Sequence, residues 1–152
     1  VGKDQVRYVV THATTPEALA QQLSDELRHL ATADPEQVDT TLLMHPQVLQ
    51  DFADFNDFLD VVDALVDDLG LDGELQVASF HPGFTFADSD TTDPQGDVAD
   101  CSNRAPWPTL HLLREASIER AVAAFPDAAD IYERNIDTLR RLGWAGWQAL
   151  WR

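Results

Sequence analysis

Short runs of β-branched and aromatic residues alternate along this chain with longer stretches in which apolar residues return every three or four positions. Gln5-Val6-Arg7-Tyr8-Val9-Val10 is the first run, ends at Thr11-His12, and predicts a strand. Thr15-Pro16-Glu17 then offers an N-cap hydroxyl, a proline for the first helical position and an early acid, which together start a helix. Leu19, Leu23, Leu27 and Leu30 form one apolar stripe along it. Thr40-Thr41-Leu42-Leu43-Met44 predicts a second strand, stopped by His45-Pro46. Pro46 reads as the opening of a second helix. Its stripe is Leu49, Phe52, Phe55, Leu59, Val62, Val66 and Leu69, with Asp51, Asp54, Asp57, Asp60, Asp63 and Asp67 mostly on the other side. Gly70 is placed to close it. Leu75-Gln76-Val77-Ala78-Ser79-Phe80 predicts a third strand, stopped by His81-Pro82-Gly83, with Phe84-Thr85-Phe86 as a short antiparallel return.

From 87 to 108 the chain is rich in Asp, Thr, Ser and Pro and shows no period, so it reads as a long polar loop. Two helices are expected after it, over 109–125 and 128–142, separated by Pro126. The tail Trp144-x-x-Trp147-x-x-Leu150-Trp151 keeps helical spacing, which makes 128–152 a C-terminal helical segment. Strand, helix, strand, helix, strand is the pattern of an α/β domain. The expectation is a single α/β domain over 1–152. Its sheet is small and parallel, with mixed pairing as the alternative, and has three to four strands packed by about four helices. In such sheets ligands bind beyond the carboxyl ends of the strands.

Composition narrows the partners. The formal net charge is −17, from 27 acidic and 10 basic residues. A field of that sign repels phosphate backbones and anionic headgroups, which excludes nucleic acid and membrane surfaces as expected partners. No apolar run approaches a membrane span, and no stretch reads as a signal peptide. Val1-Gly2-Lys3 runs almost directly into a strand, which reads as a processed or truncated start. Cys101 is the one cysteine, so no disulfide within the chain and no cysteine-cluster zinc site is expected, and a reduced cytoplasm is the default compartment.

Three histidines, His12, His45 and His81, each fall just past a predicted strand and so on one edge of a parallel sheet. An imidazole there can move a proton near neutral pH, ligate a metal, or simply donate to a carbonyl. His29 sits near the end of its helix and is given no role beyond favouring the dipole. A second constellation runs Asn103-Arg104, Trp107-Pro108-Thr109-Leu110-His111, Arg114-Glu115. Read as the start of a helix, it puts free backbone N–H groups beside two arginines, which suits a carboxylate or phosphate. The competing account pairs Arg104 and Arg114 with some of the many aspartates. Asp88 to Asp93 fails as a calcium loop, because Asp93 stands where the turn needs glycine and Ala99 where a bidentate acid belongs. Cys101 as a nucleophile has no positional support.

Four stretches together resemble a family of unknown function, domain of unknown function 1415, found in bacteria and plant plastids. They are Gln5 to Val10, Asp54 to Leu59, Leu75 to Pro82, and Asn103 to Ser117, joined by Glu133-Arg134-Asn135-Ile136. The resemblance covers nearly the whole chain but implies no activity. It implies that His45, His81, Asn103, Arg104, His111, Arg114 and Glu115 belong to recurrent motifs, and that His12 and Cys101 do not. It also implies a segment with a Cys-Pro pair ahead of strand one, which is not in this sequence.

Two functions follow as expectations. The first is an enzyme acting on a small anionic molecule, a carboxylate or phosphate. His45, His81 and His111 would be its catalytic groups, and Asn103, Arg104 and Arg114 would bind the substrate. If the three imidazoles converge, they are also the candidates for a Zn²⁺ or Fe²⁺ site. The alternative is a non-catalytic binding or assembly module that uses the Trp-rich C-terminus and the acidic loop, with self-association left open.

Overall fold

The computed structural model describes residues 5–85, 89, 97–124 and 128–149, with backbone alone for 128–132. In chain order the elements are β1 (Val6–Val10), α1 (Pro16–Thr32), β2 (Thr40–Met44), α2 (Phe52–Asp68), β3 (Leu75–Phe80), a 3₁₀ turn (Val98–Asn103), β4 (Thr109–Arg114), α3 (Glu115–Ala124) and α4 (Ala128–Ala149). The fold is α/β, and its four-stranded sheet has the order β1-β2-β4-β3. β1 pairs parallel with β2, and β4 runs antiparallel to both β2 and β3. β1, β2 and β3 therefore point the same way, and the sheet is mixed because β4 is inserted between the last two.

Local chemistry sets most element ends. Thr15 Oγ1 accepts from Ala18 N at 3.2 Å and caps α1, with proline just inside. Gly70, at φ 70°, closes α2. Its N–H donates to Asp67 O and that of Leu71 to Val66 O, the paired bonds of a Schellman ending. Pro46 does not open α2, as its position suggested. The chain turns at His45–Val48, passes through Leu49 at φ 57°, and starts the helix only at Phe52, capped by Asp51. A left-handed leucine cannot sit in a helix, so the stripe begins one turn later than the sequence implied.

The largest correction concerns 109–125. Residues 109–114 are strand β4, and the helix begins at Glu115. The run Thr-Leu-His-Leu-Leu-Arg fits a period of two as well as one of 3.6, and pairing decides between them. β2 and β3 each present an edge of backbone N–H and C=O groups, and β4 satisfies both. Phe84 and Thr85 form no strand, and Phe86 lies outside the described residues. Of the supposed loop, 90–96 also lies outside them, whereas Val98, Ala99, Asp100 and Cys101 of the 3₁₀ turn are buried. α4 takes in the expected helix over 128–142 and the tail as far as Ala149, and it is broken at Gly143, which has φ 63°.

The two faces of the sheet differ. Val9, Leu43, Leu75, Leu110 and Leu112 share a face and pack with Leu19, Leu23, Leu27 and Leu30 of α1 and Phe55, Phe58 and Val62 of α2. Each fully buried leucine here contributes roughly 1.5–3 kcal/mol. Alternation sends the other residues outward. These are Val6, Tyr8 and Val10 on β1, Thr40, Leu42 and Met44 on β2, Thr109, His111 and Leu113 on β4, and Gln76, Ala78 and Phe80 on β3. None of the apolar members of this outer face joins either buried cluster of the described residues. Tyr8 is 67% and Val10 53% exposed. The second cluster gathers Val98, Cys101 and Leu139 with Trp144 and Trp147, so α4 packs on the 3₁₀ turn. No described helix is long and apolar enough to cross a membrane.

Candidate functional site

At the carboxyl edge, β2 delivers His45 and β3 delivers His81, and both rings are sealed, at 0% and 2% exposure. Phe55 lies between them, its ring centroid 5.5 Å from His45 and 5.0 Å from His81, and Phe52 adds a second aromatic contact to His81 at 5.5 Å. His81 Nδ1 accepts from Gly83 N at 2.9 Å. Its proton therefore sits on Nε2, which donates to Leu49 O at 3.0 Å. His45 Nδ1 donates to Val48 O at 3.1 Å. The two imidazoles thus hold the 45–51 turn, including the left-handed Leu49, down onto α2. His45 Nε2 is buried without a partner. Burial pushes this imidazole below its ordinary pKa, the Val48 carbonyl partly offsets that, and His81 adds to the lowering.

Asn103 belongs to the same edge. Its carbonyl accepts from His81 N at 3.1 Å and its amide donates to Ser79 O at 3.0 Å, which ties the 3₁₀ turn to the end of β3. Arg104 extends from there. Its Nε donates to Phe84 O at 3.1 Å, an Nη lies 3.8 Å from Asp100, and the guanidinium stands 5.4 Å from the Trp144 ring centroid. Arg104 therefore joins the 81–84 turn, the 3₁₀ turn and α4.

Arg114 stands at the other end of the sheet. It is opposite Leu75, the first residue of β3, about 17 Å along the strand from Phe80 at ~3.4 Å per residue. It points to the helical face, where Nη2 donates to Leu30 O, Ala33 O and Val38 O at 2.8, 3.0 and 2.8 Å. These are carbonyls of the α1 C-terminus and the loop after it, where a cation also meets the negative end of the helix dipole. Arg114 Nε is buried and unpartnered.

His111 sits inside β4, opposite Leu42 and Ala78, on the outer face. It is the reverse side of the sheet from His45 and His81. Thr40 Oγ1 donates to Leu112 O at 2.6 Å and lies 2.7 Å from His111 Nε2. The hydroxyl has one proton, so towards the imidazole it accepts, and Nε2 carries the ring proton. Burial lowers the pKa of His111 as well.

The structure thus brings His45, His81 and Asn103 together, leads Arg104 away from them, and separates His111 and Arg114 from that edge. Among the described residues no group of three His, Cys, Asp or Glu is placed to hold a metal ion. Cys101 is buried, which pushes its thiol pKa up, and His12 is exposed beyond β1. Shallow recesses lie elsewhere, one lined by Pro35, Arg114, Ser117 and Arg120 beside α3 and one on α4.

The pattern of a family described as protein of unknown function (DUF1415) matches residues 1–149. The chain belongs to this family. No curated protein and no solved structure matches it. In this member of the family, sequence reasoning missed Thr40, which orients His111, and the outer-face residues around it. A signal was present in β1: Val6, Tyr8, Val9 and Val10 make it apolar on both faces, a pattern of strands covered on both sides.

Proposed function

We propose that the domain is a non-catalytic binding module whose contact surface is the outer face of the sheet. One observation carries this reading. None of the twelve outward-facing residues, three from each strand, bears a formal charge, in a chain where 24% of residues do. The exposed side of α2 is the opposite case, with Asp54, Asp57, Asp60, Asp63, Asp67 and Asp68 all exposed. Thr40 and Thr109 are buried within this face, but Tyr8 and Val10 stand exposed on it, and uncharged surface with exposed apolar side chains marks a place where something docks. The Trp-rich C-terminus supports this surface less well, since Trp144 and Trp147 already pack on the 3₁₀ turn. The test uses a neutral apolar dye, Nile red, so that the net charge does not bias it. Native protein should enhance its fluorescence at neutral pH. A Tyr8→Glu, Val10→Glu double variant should lose most of that signal with its melting temperature little changed. No enhancement, or enhancement unaltered in the variant, removes the proposal.

A second reading keeps chemistry at the carboxyl edge, with His45 and His81 as proton-transfer groups and a small carboxylate or phosphate as substrate. The unpartnered His45 Nε2 favours it. Against it, Arg104 Nε and Arg114 Nη2 already bond to backbone carbonyls, and an Arg104 Nη lies 3.8 Å from Asp100. Titration with inorganic phosphate or acetate, following the two ring resonances, decides the point: no shift in either ring ends this reading.

A further inference from the structure

Near the middle of the outer face one imidazole is held in a fixed direction. Leu112 O takes the Thr40 hydroxyl proton, Thr40 Oγ1 takes the His111 Nε2 proton, and Nδ1 is left as a bare lone pair. No described residue bonds to Nδ1, and it is not among the side-chain atoms sealed from solvent without a partner. The chain of bonds holds the ring in one tautomer, much as second-shell partners orient metal-ligating imidazoles. Burial keeps the ring neutral at physiological pH. Around it stand Leu42, Ala78 and Phe80, with the Phe80 ring centroid 6.3 Å away. The face thus offers apolar side chains beside an imidazole acceptor near its middle.

Three observations select an occupant. A second copy is disfavoured because it would set −17 against −17. The face also measures only about 19 by 17 Å, roughly 300 Å² from strand and residue spacings, well short of the ~800 Å² per partner of a stable interface. It is the face of a four-stranded sheet, whereas small-molecule sites are clefts or cavities. A short polypeptide segment fits such a surface. Its anchor must be large, apolar and donor-only. Among side chains that is the indole of tryptophan, also a residue favoured at interface hot spots.

We propose that the outer face binds a short apolar segment of a partner protein through a tryptophan whose indole N–H donates to His111 Nδ1. The proposal rests on the reading of this face as the contact surface, and its test separates the two. The probes are the neutral tripeptide acetyl-Leu-Trp-Leu-amide and its isostere with benzothienylalanine, where sulfur replaces the N–H. Both are titrated into ¹⁵N-labelled protein.

Both peptides should shift resonances of Tyr8, Leu42 and Ala78. The tryptophan peptide should bind about five- to tenfold more tightly, the worth of one hydrogen bond, and shift His111 ¹⁵Nδ1. That advantage should vanish in His111→Phe, and the wild-type comparison stands even if this variant folds poorly. Equal affinity of the two peptides overturns the indole–His111 bond while leaving the contact surface intact. Absence of outer-face shifts with either peptide overturns both. Free indole binding as tightly as the tripeptide would make the site one for a small molecule and overturn the partner segment. So would a dimer in sedimentation that Tyr8→Glu dissociates, which would assign the face to a second copy.

Discussion

The carboxyl edge and the outer face of this sheet both hold histidine in neutral form, and they use it in opposite ways. His45 and His81 are sealed behind Phe52 and Phe55, and their rings bond to carbonyls of the turn that carries Leu49 at φ 57°. A left-handed leucine costs roughly 1–2 kcal/mol, and the two ring-to-carbonyl bonds help to offset it. His111 fastens nothing comparable. Its one bond goes to a threonine hydroxyl already engaged with Leu112 O, and its other nitrogen is left available. Position at the end of a parallel strand, the usual sign of a site, here comes with two buried rings bonded to turn carbonyls. A mid-strand histidine marks the more available chemistry.

The sharpest way to break that contrast is to remove each ring in turn. His81→Leu leaves the Leu49 carbonyl and the Gly83 N–H without their partner, and should cost about 2–4 kcal/mol in urea unfolding. A cost below about 1 kcal/mol would show that the edge histidine is not a staple.

Acidification should act next. The folded state holds His45 below the ordinary imidazole value, whereas the unfolded chain takes up its proton near pH 6.5. Below that pH the unfolded state binds more protons, so stability is complete above about pH 7 and falls as pH drops through about 6.5 towards the folded value. His111 contributes with the same sign. His45→Asn, whose amide can replace the Nδ1 donor, should flatten the slope of unfolding free energy between pH 7 and 5. An unchanged slope would remove His45 from the account.

Arg104→Ala should lower stability by about 1–2 kcal/mol, through the lost Phe84 carbonyl bond and the contact with Trp144. A variant as stable as the wild type, but altered in phosphate binding, would return Arg104 to the role of anion ligand. The smallest effect is expected from His111→Leu, within about 0.5–1 kcal/mol, because Thr40 keeps its bond to Leu112 O. A loss as large as that of His81→Leu would erase the distinction between the two regions.

Much of this molecule could be read from local chemistry. The Thr15-Pro16 start of α1, its leucine stripe, the Gly70 ending of α2 and the first three strands were legible because each depends on residues close together in sequence. The start of α2 was not, since the proline signal at Pro46 is overruled by a turn that His81 stabilises from 32 residues away. The site was legible only as a set of residue types. His111 and Arg114 are three apart in sequence, and a helix would have kept them on one side. A strand instead turns successive side chains to opposite faces.

By itself, then, the sequence determined an acidic α/β chain of the DUF1415 family, with its first three strands, its helical stripes and its stock of imidazoles and arginines. Tertiary structure decided where that stock lies. β2 and β3 each needed an antiparallel neighbour, and Thr109–Arg114 became that neighbour rather than a helix. With that one pairing, Arg114 was sent to the α1 carbonyls and His111 to the open face. Backbone hydrogen bonds between strands distant in the chain outweigh the local preference of six residues that fit either period.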